Sequence, residues 1–224
     1  MIEKHPDYKL NVFINCPFDD KYFNLLQTIL FTICYFGFNP RISLEESDSG
    51  RSRLDKIVSL IKDSKYSIHD LSRLQAKSVD EYYRLNMPFE LGIDYGLRKF
   101  DSYYSDKRSL ILETNKYEYM KAISDINGFD IKHHKNNPVE VIKCLRSWFS
   151  ETVKLENLNN SDKIYTDFIQ FNTDLYRSKM LKYFPAHNTT DAELFAKKEI
   201  EEMTMTEFIR EIKKWVVKKH QQTS

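Results

Sequence analysis

Short apolar runs alternate with amphipathic stretches over the first two-thirds of the chain, the pattern of strands joined by crossover helices. Val12, Phe13 and Ile14, within Lys9 to Cys16, suit a strand covered on both faces, and Pro17 ends it. Tyr22 to Phe36 is apolar almost all round, which predicts a well-buried helix stopped by Gly37 as a left-handed C-cap. A second strand is expected at Asn39 to Leu44, and Ser52 with Asp55 marks the start of a helix whose stripe is Leu54, Ile57, Val58 and Ile61. A third strand near Tyr66 to Asp70 precedes a helix from Asn86 to Phe100 and a fourth strand at Ser109 to Leu112. Asp101 to Lys107 reads as a mobile surface loop, Tyr117 to Ile126 as helical and Phe129 to Lys132 as a short edge strand. Asn137-Pro138 then opens a helix carrying Val141, Ile142, Leu145, Trp148 and Phe149.

From Glu151 the pattern changes. Lys154 to Ser161 is polar and Asn-rich, a linker into helices only. Ile164, Phe168, Phe171 and Leu175 form one stripe, and Ala192 to Glu201 gives a shorter helix. Thr204 with Glu207 fits a capping box ahead of Phe208, Ile209, Ile212, Trp215 and Val216. The expected fold is α/β: a doubly wound, mostly parallel, flavodoxin-like sheet of about five strands over residues 1–153, with an all-helical extension over 154–224. The stripes of the extension need cover, from the α/β part or from a second copy, and a homo-oligomer through the extension is the expected assembly.

Composition narrows the function. Charged residues make up 30% and hydrophobic residues 41%, with a formal net charge of +1, so nothing drives the chain to nucleic acid or to a membrane surface. The Lys213, Lys214, Lys218, Lys219 cluster reads as a solvated face. Cys16, Cys34 and Cys144 are odd in number and far apart, as for reduced thiols in a cytoplasmic protein, and Met1 to Pro6 lacks the apolar core of a signal peptide. No metal-ligand spacing joins a cysteine to a histidine, and His133-His134 reads as solvated, so neither metal nor cofactor is expected. There is no G-x-G-x-x-G, no P-loop and no nucleophile elbow.

The stretch Asn86-Met87-Pro88-Phe89-Glu90-Leu91-Gly92-Ile93-Asp94-Tyr95-Gly96 places a carboxylate near the positive end of a helix dipole, with Asn86 as N-cap and Pro88 in the first turn. Gly92 and Gly96 share one face, which would let the helix approach a strand closely, and Glu90 and Asp94 share another. In an open parallel sheet of order 2-1-3-4-5, ligands gather outside the carboxyl ends of strands one and three. The residues expected there are Asn15, Pro17, Phe18 and Asp20 after the first strand, His69 and Asp70 at the end of the third, and Asn86 with Glu90 at the next helix. Asp48, Ser49 and Arg51 reach the rim from the second loop.

Three pieces carry a resemblance: Phe13-Ile14-Asn15-Cys16-Pro17-Phe18, Ile68-His69-Asp70-Leu71-Ser72, and Phe89-Glu90-Leu91-Gly92. Together they resemble the nucleoside 2-deoxyribosyltransferases and, more loosely, the bacterial TIR-like NAD hydrolases of the same broad superfamily, some of which act in anti-phage defence. The resemblance implies a nucleotide or NAD as substrate, Glu90 as the nucleophile at the anomeric carbon, and Asp70 as the carboxylate that orients base or sugar. The family's further Asp before the glutamate is missing, since Arg84, Leu85 and Asn86 stand there. A cationic leaving group such as nicotinamide tolerates that loss better than a purine does. Alternative readings are a binding-only module that senses a nucleotide or NAD derivative, and an interaction protein that dimerises through its tail.

Overall fold

The computed structural model describes residues 3–45, 47–74, 85–184 and 188–223. Five strands form one parallel sheet: β1 (Asn11–Asn15), β2 (Asn39–Ile42), β3 (Tyr66–Asp70), β4 (Arg108–Glu113) and β5 (Lys132–His133), in the order β2-β1-β3-β4-β5. Helices α1 (Phe23–Tyr35), α2 (Arg53–Lys62), α3 (Asn86–Phe100) and α4 (Pro138–Glu151) connect or follow the strands, and α5 (Ser161–Tyr183), α6 (Thr189–Glu201) and α7 (Met205–Thr223) form the C-terminal extension. This is the expected α/β sheet with a helical extension, and β1 and β3 flank the point where strand order reverses.

Most helix boundaries follow their sequence signals. Gly37, at φ +81°, closes α1 in a Schellman pattern, with Phe38 N–H on the Ile33 carbonyl and Gly37 N–H on that of Cys34. Ser52 and Asn137 accept the expected capping bonds, and Thr204 and Glu207 cap each other reciprocally. Asn86 departs from expectation. It is the first helical residue rather than the cap, and Leu85, which precedes it, has no side-chain oxygen to offer the first turn.

The sheet divides the core by strand alternation. Val12, Ile14, Ile68, Leu110 and Leu112 face α1 and α4, while Phe13 faces α2. The extension belongs to the first of these layers: Phe168, Phe171, Phe208 and Ile212 pack in one continuous cluster with Phe31 of α1 and Phe149 of α4. Val153, Leu155 and Leu158 of the polar linker pack on the same cluster. The apolar stripes of α5 and α7 thus find their cover within the chain.

Four local readings are corrected. The 101–107 segment contains a short 3-10 turn with Tyr104 buried, and Lys107 is fully buried with two backbone carbonyls as acceptors. Residues 117–126 form two short 3-10 turns rather than a helix, because Tyr117 enters at φ +70°. Leu54 is 45% exposed, outside the buried stripe of Ile57, Leu60 and Ile61. Gly92 and Gly96 face away from the sheet: a Cβ on Gly92 would meet nothing within 4 Å and one on Gly96 only its own helix's Phe100.

Candidate active site

Adjacent residues at the end of β3 point to opposite faces of the sheet, and each organises a buried polar cluster. His69 faces α3. Its neighbour across the ladder is Asn15 of β1, whose Nδ2 lies 3.1 Å from His69 Nδ1 and donates to the Met87 carbonyl at 2.8 Å. An amide nitrogen only donates, so Nδ1 accepts and the ring proton sits on Nε2, 3.0 Å from Asp94 Oδ2. Ser109 Oγ donates to the same oxygen at 3.1 Å, and Ser67 Oγ reaches it too. Lys107 Nζ stands 3.1 Å from Asp94 Oδ1, an ion-pair contact without hydrogen-bond alignment. Burial alone would push the Asp94 carboxyl up, but the His69 hydrogen bond and the Lys107 charge outweigh it and hold it well below the usual carboxylate range.

Asp70 faces the other way, toward α1 and the end of β5. Its Oδ1 accepts the Ser72 N–H at 2.8 Å, and its Oδ2 accepts the Tyr22 hydroxyl and lies 3.0 Å from His134 Nε2. His134 Nδ1 accepts the Asn136 N–H at 3.1 Å, which puts the ring proton on Nε2, facing Asp70. Burial works to raise the Asp70 carboxyl, and the bonds from His134, Ser72 and Tyr22 bring it below its ordinary value. Ser72 Oγ is also 3.1 Å from His134 Nε2 and accepts from Thr114 at 2.8 Å. Serine and aspartate meet the same ring nitrogen, so this cluster is not a nucleophile relay, which needs the two nitrogens separately.

Glu90 sits one turn into α3, between the two anchor points of that helix, Met87 and Asp94. It is 8% exposed, and no hydrogen bond to its carboxylate comes from the described residues. Burial pushes its carboxyl up to about 7, against the opposing pull of the Arg53 guanidinium at the start of α2. The Cys16 thiol at the end of β1 is pushed up by burial and then by the charges of both Asp70 and Glu90, so its sulfur feels the two carboxylates from either side of the sheet edge.

The remaining expected residues are spread along the rim. Pro17 is buried, whereas Phe18, Asp20, Asn86, Asp48, Ser49 and Arg51 are exposed. Asp48 Oδ1 accepts the Gly50 N–H at 2.9 Å, and Arg51 Nη2 donates to Ser59 at 3.0 Å, so these two are engaged within their own loop and helix. Arg84 lies outside the described residues.

Residues not expected from sequence are Asp94, Lys107, Tyr22, His134 and the Asp19–Arg73 ion pair, which ties the loop after β1 to the turn after β3. His134 corrects its solvated reading: it is fully buried. One signal was available for Asp94, its place one turn beyond Glu90 on the same face. Four residues with positive φ lie in the loops after β3, β4 and β5, namely Arg73, Tyr117, Lys135 and Asn136, so backbone strain is concentrated at the carboxyl edge. A cleft of about 270 Å³ opens there, lined by Leu71, Arg73, Leu74, Thr114, Glu118 and Asn136. A larger hollow of about 500 Å³ lies between α5 and α7, but its Asp174 is bonded to Trp215 at 2.9 Å and its Glu211 to Lys214 at 2.8 Å, leaving neither acid free for chemistry.

Among the described residues no group of three His, Cys, Asp or Glu side chains is placed to hold a metal ion, and no helix is long and apolar enough to cross a membrane. No family model, curated protein or solved structure matches the chain.

Proposed function

We propose that this protein cleaves an N-glycosidic bond of a nucleotide, with NAD as the favoured substrate and Glu90 as the reacting carboxylate. The observation that carries the reading is the state of Glu90. It is nine-tenths buried beside the strand-order reversal and has no hydrogen-bond partner among the described residues. A buried carboxylate without a partner is costly, and such groups concentrate where chemistry uses them.

In the proposed reaction the bond between C1′ of the ribose and the pyridinium nitrogen breaks, its electron pair leaving with neutral nicotinamide. Positive charge develops on the ribosyl ring, and the Glu90 carboxylate stabilises it or adds to C1′. Water then supplies the hydroxyl at C1′, releasing ADP-ribose and a proton. Asp70 has both oxygens occupied and is held ionised, so it has no proton to give a departing neutral base. A leaving group that needs no proton suits that arrangement. Asp70 then acts through Tyr22 and His134 as a positioning residue for the sheet edge.

The test is release of nicotinamide from NAD, run beside a panel of nucleosides and nucleotides, with Glu90→Gln as control. The expected result is NAD turnover that rises with pH through about 7, as Glu90 ionises, and that is lost in Glu90→Gln. Absence of turnover on every substrate sinks the reading. Thermal stabilisation by NAD without turnover would instead identify a binding-only sensor.

A further inference from the structure

Helix α3 is held to the sheet by a closed chain of polar groups whose two ends both lie on the helix. The Met87 carbonyl in the first turn accepts from Asn15 Nδ2 at 2.8 Å, and the same nitrogen lies 3.1 Å from His69 Nδ1. His69 Nε2 then meets Asp94 two turns further along α3 at 3.0 Å. Asn15 and His69 are ladder partners on adjacent strands, so the chain is rooted in two strands and grips one helix twice. Glu90 lies between the grips, three residues after the first and four before the second, on the same sheet-facing stripe as Met87, Leu91 and Asp94.

We infer that Asn15, His69 and Asp94 are positioning residues for Glu90, fixing the start of α3 so that its carboxylate stays held at the sheet edge. The inference rests on the reading of Glu90 as the reacting group, and three observations support it. The helix start has no side-chain cap, and its apolar seating rests on Met87 and Leu91, while Phe89 beside Glu90 is 57% exposed. Each group in the chain has a fixed donor or acceptor role, Asn15 donating to both Met87 and His69 and His69 donating on to Asp94, and such directional bonds resist sliding more than an apolar contact does. Behind Asp94, Lys107 is fully buried and spends two donors on the Ile61 and Ser64 carbonyls, so the far grip is itself anchored to the loop after α2.

A positioning role and a merely structural one separate on the titration of Glu90, which can be followed by carbon-13 NMR of its carboxyl, assigned with Glu90→Gln. Asn15→Ala removes the near grip and leaves His69, Asp94 and Lys107 paired, so it is the variant least disposed to unfold; His69→Ala removes the far grip and leaves Asn15 donating to the Met87 carbonyl. Once the first turn is released Glu90 gains solvent, so its midpoint is expected to fall from about 7 toward the ordinary glutamate range in Asn15→Ala, and by less in His69→Ala. Turnover of NAD is expected to drop through kcat by roughly 100-fold, the scale of an ångström-sized misplacement. A folded Asn15→Ala protein whose Glu90 still titrates at about 7 overturns the inference, whatever its loss of stability. The titration needs no substrate: if NAD is never turned over but the midpoint moves, the enzymatic reading fails and the positioning of Glu90 stands.

Discussion

Glu90 and Asp70 are both buried carboxylates at the same edge of one sheet, and they are opposite in almost every other respect. Asp70 has three donors on two oxygens and a carboxyl held below its ordinary value; Glu90 has none among the described residues and is raised to about 7. The two therefore bear on stability with opposite slopes. Asp70 contributes stability that is present above its unfolded value and lost as pH falls through the folded one. Glu90 binds its proton more tightly when folded, so the fold loses stability as pH rises from the ordinary glutamate range through about 7. A carboxylate that strengthens the fold explains its own burial. One that weakens it does not, and that difference is why we propose Glu90 rather than Asp70 as the reacting group.

The largest expected effect comes from breaking the satisfied side of that contrast. Asp70→Ala leaves Tyr22, His134 and the Ser72 N–H without their acceptor in a sealed environment, and loss of one partner from such a cluster costs about 3–5 kcal/mol. Chemical denaturation at neutral pH measures it, and a loss below about 1 kcal/mol would mean that Asp70 is not the structural member of the pair. The opposite sign is expected at Glu90. Glu90→Gln removes an ionisable group that the fold disfavours, so the variant gains stability over the parent as pH rises toward about 7, levelling off above it. With solvent screening, the gain is on the order of 1 kcal/mol. Paired melting curves at pH 5 and pH 8 decide the matter, and a gain no larger at pH 8 than at pH 5 removes the contrast.

Much of the architecture was legible in the sequence because it rests on local rules. The β1 run Val12-Phe13-Ile14, the Gly37 stop and the Asn137-Pro138 start each signal an element within a few residues, and the alternation of those elements implies a parallel sheet. Glu90 was legible for the same reason, as a carboxylate beside a marked helix start. The rest of the site was not, because it depends on pairings across the sheet. Nothing near His134 says that it will meet Asp70, 64 positions earlier in the numbering; the short strand β5 lifts it to the edge, where Asp70 and Ser72 meet its ring. Lys107 was read as part of a solvated loop because a lysine between polar residues normally is, and only Asp94 with two carbonyls from the end of α2 makes its burial tolerable. The sequence spacing also grouped His69 with Asp70, which alternation then sent to opposite faces.

The smallest expected effect bears on what sets the position of α3, and with it the Glu90 side of the comparison. The spacing of Gly92 and Gly96 suggests a helix drawn close to a strand by missing side chains, and in that case a methyl at Gly92 would clash and push Glu90 outward. In the fold Gly92 is exposed with open space around its Cβ position, and α3 meets the sheet instead through Met87, Glu90, Leu91 and Asp94. Glycine inside a helix costs about 0.5–1 kcal/mol relative to alanine because more backbone freedom is lost on folding. Gly92→Ala is therefore expected to raise stability by about that amount and to leave the Glu90 midpoint unchanged, measured by denaturation and by carboxyl titration. Destabilisation would show that α3 is seated by close glycine packing, whereas a stabilised variant with Glu90 still titrating at about 7 leaves the Asn15–His69–Asp94 chain as what holds the helix start.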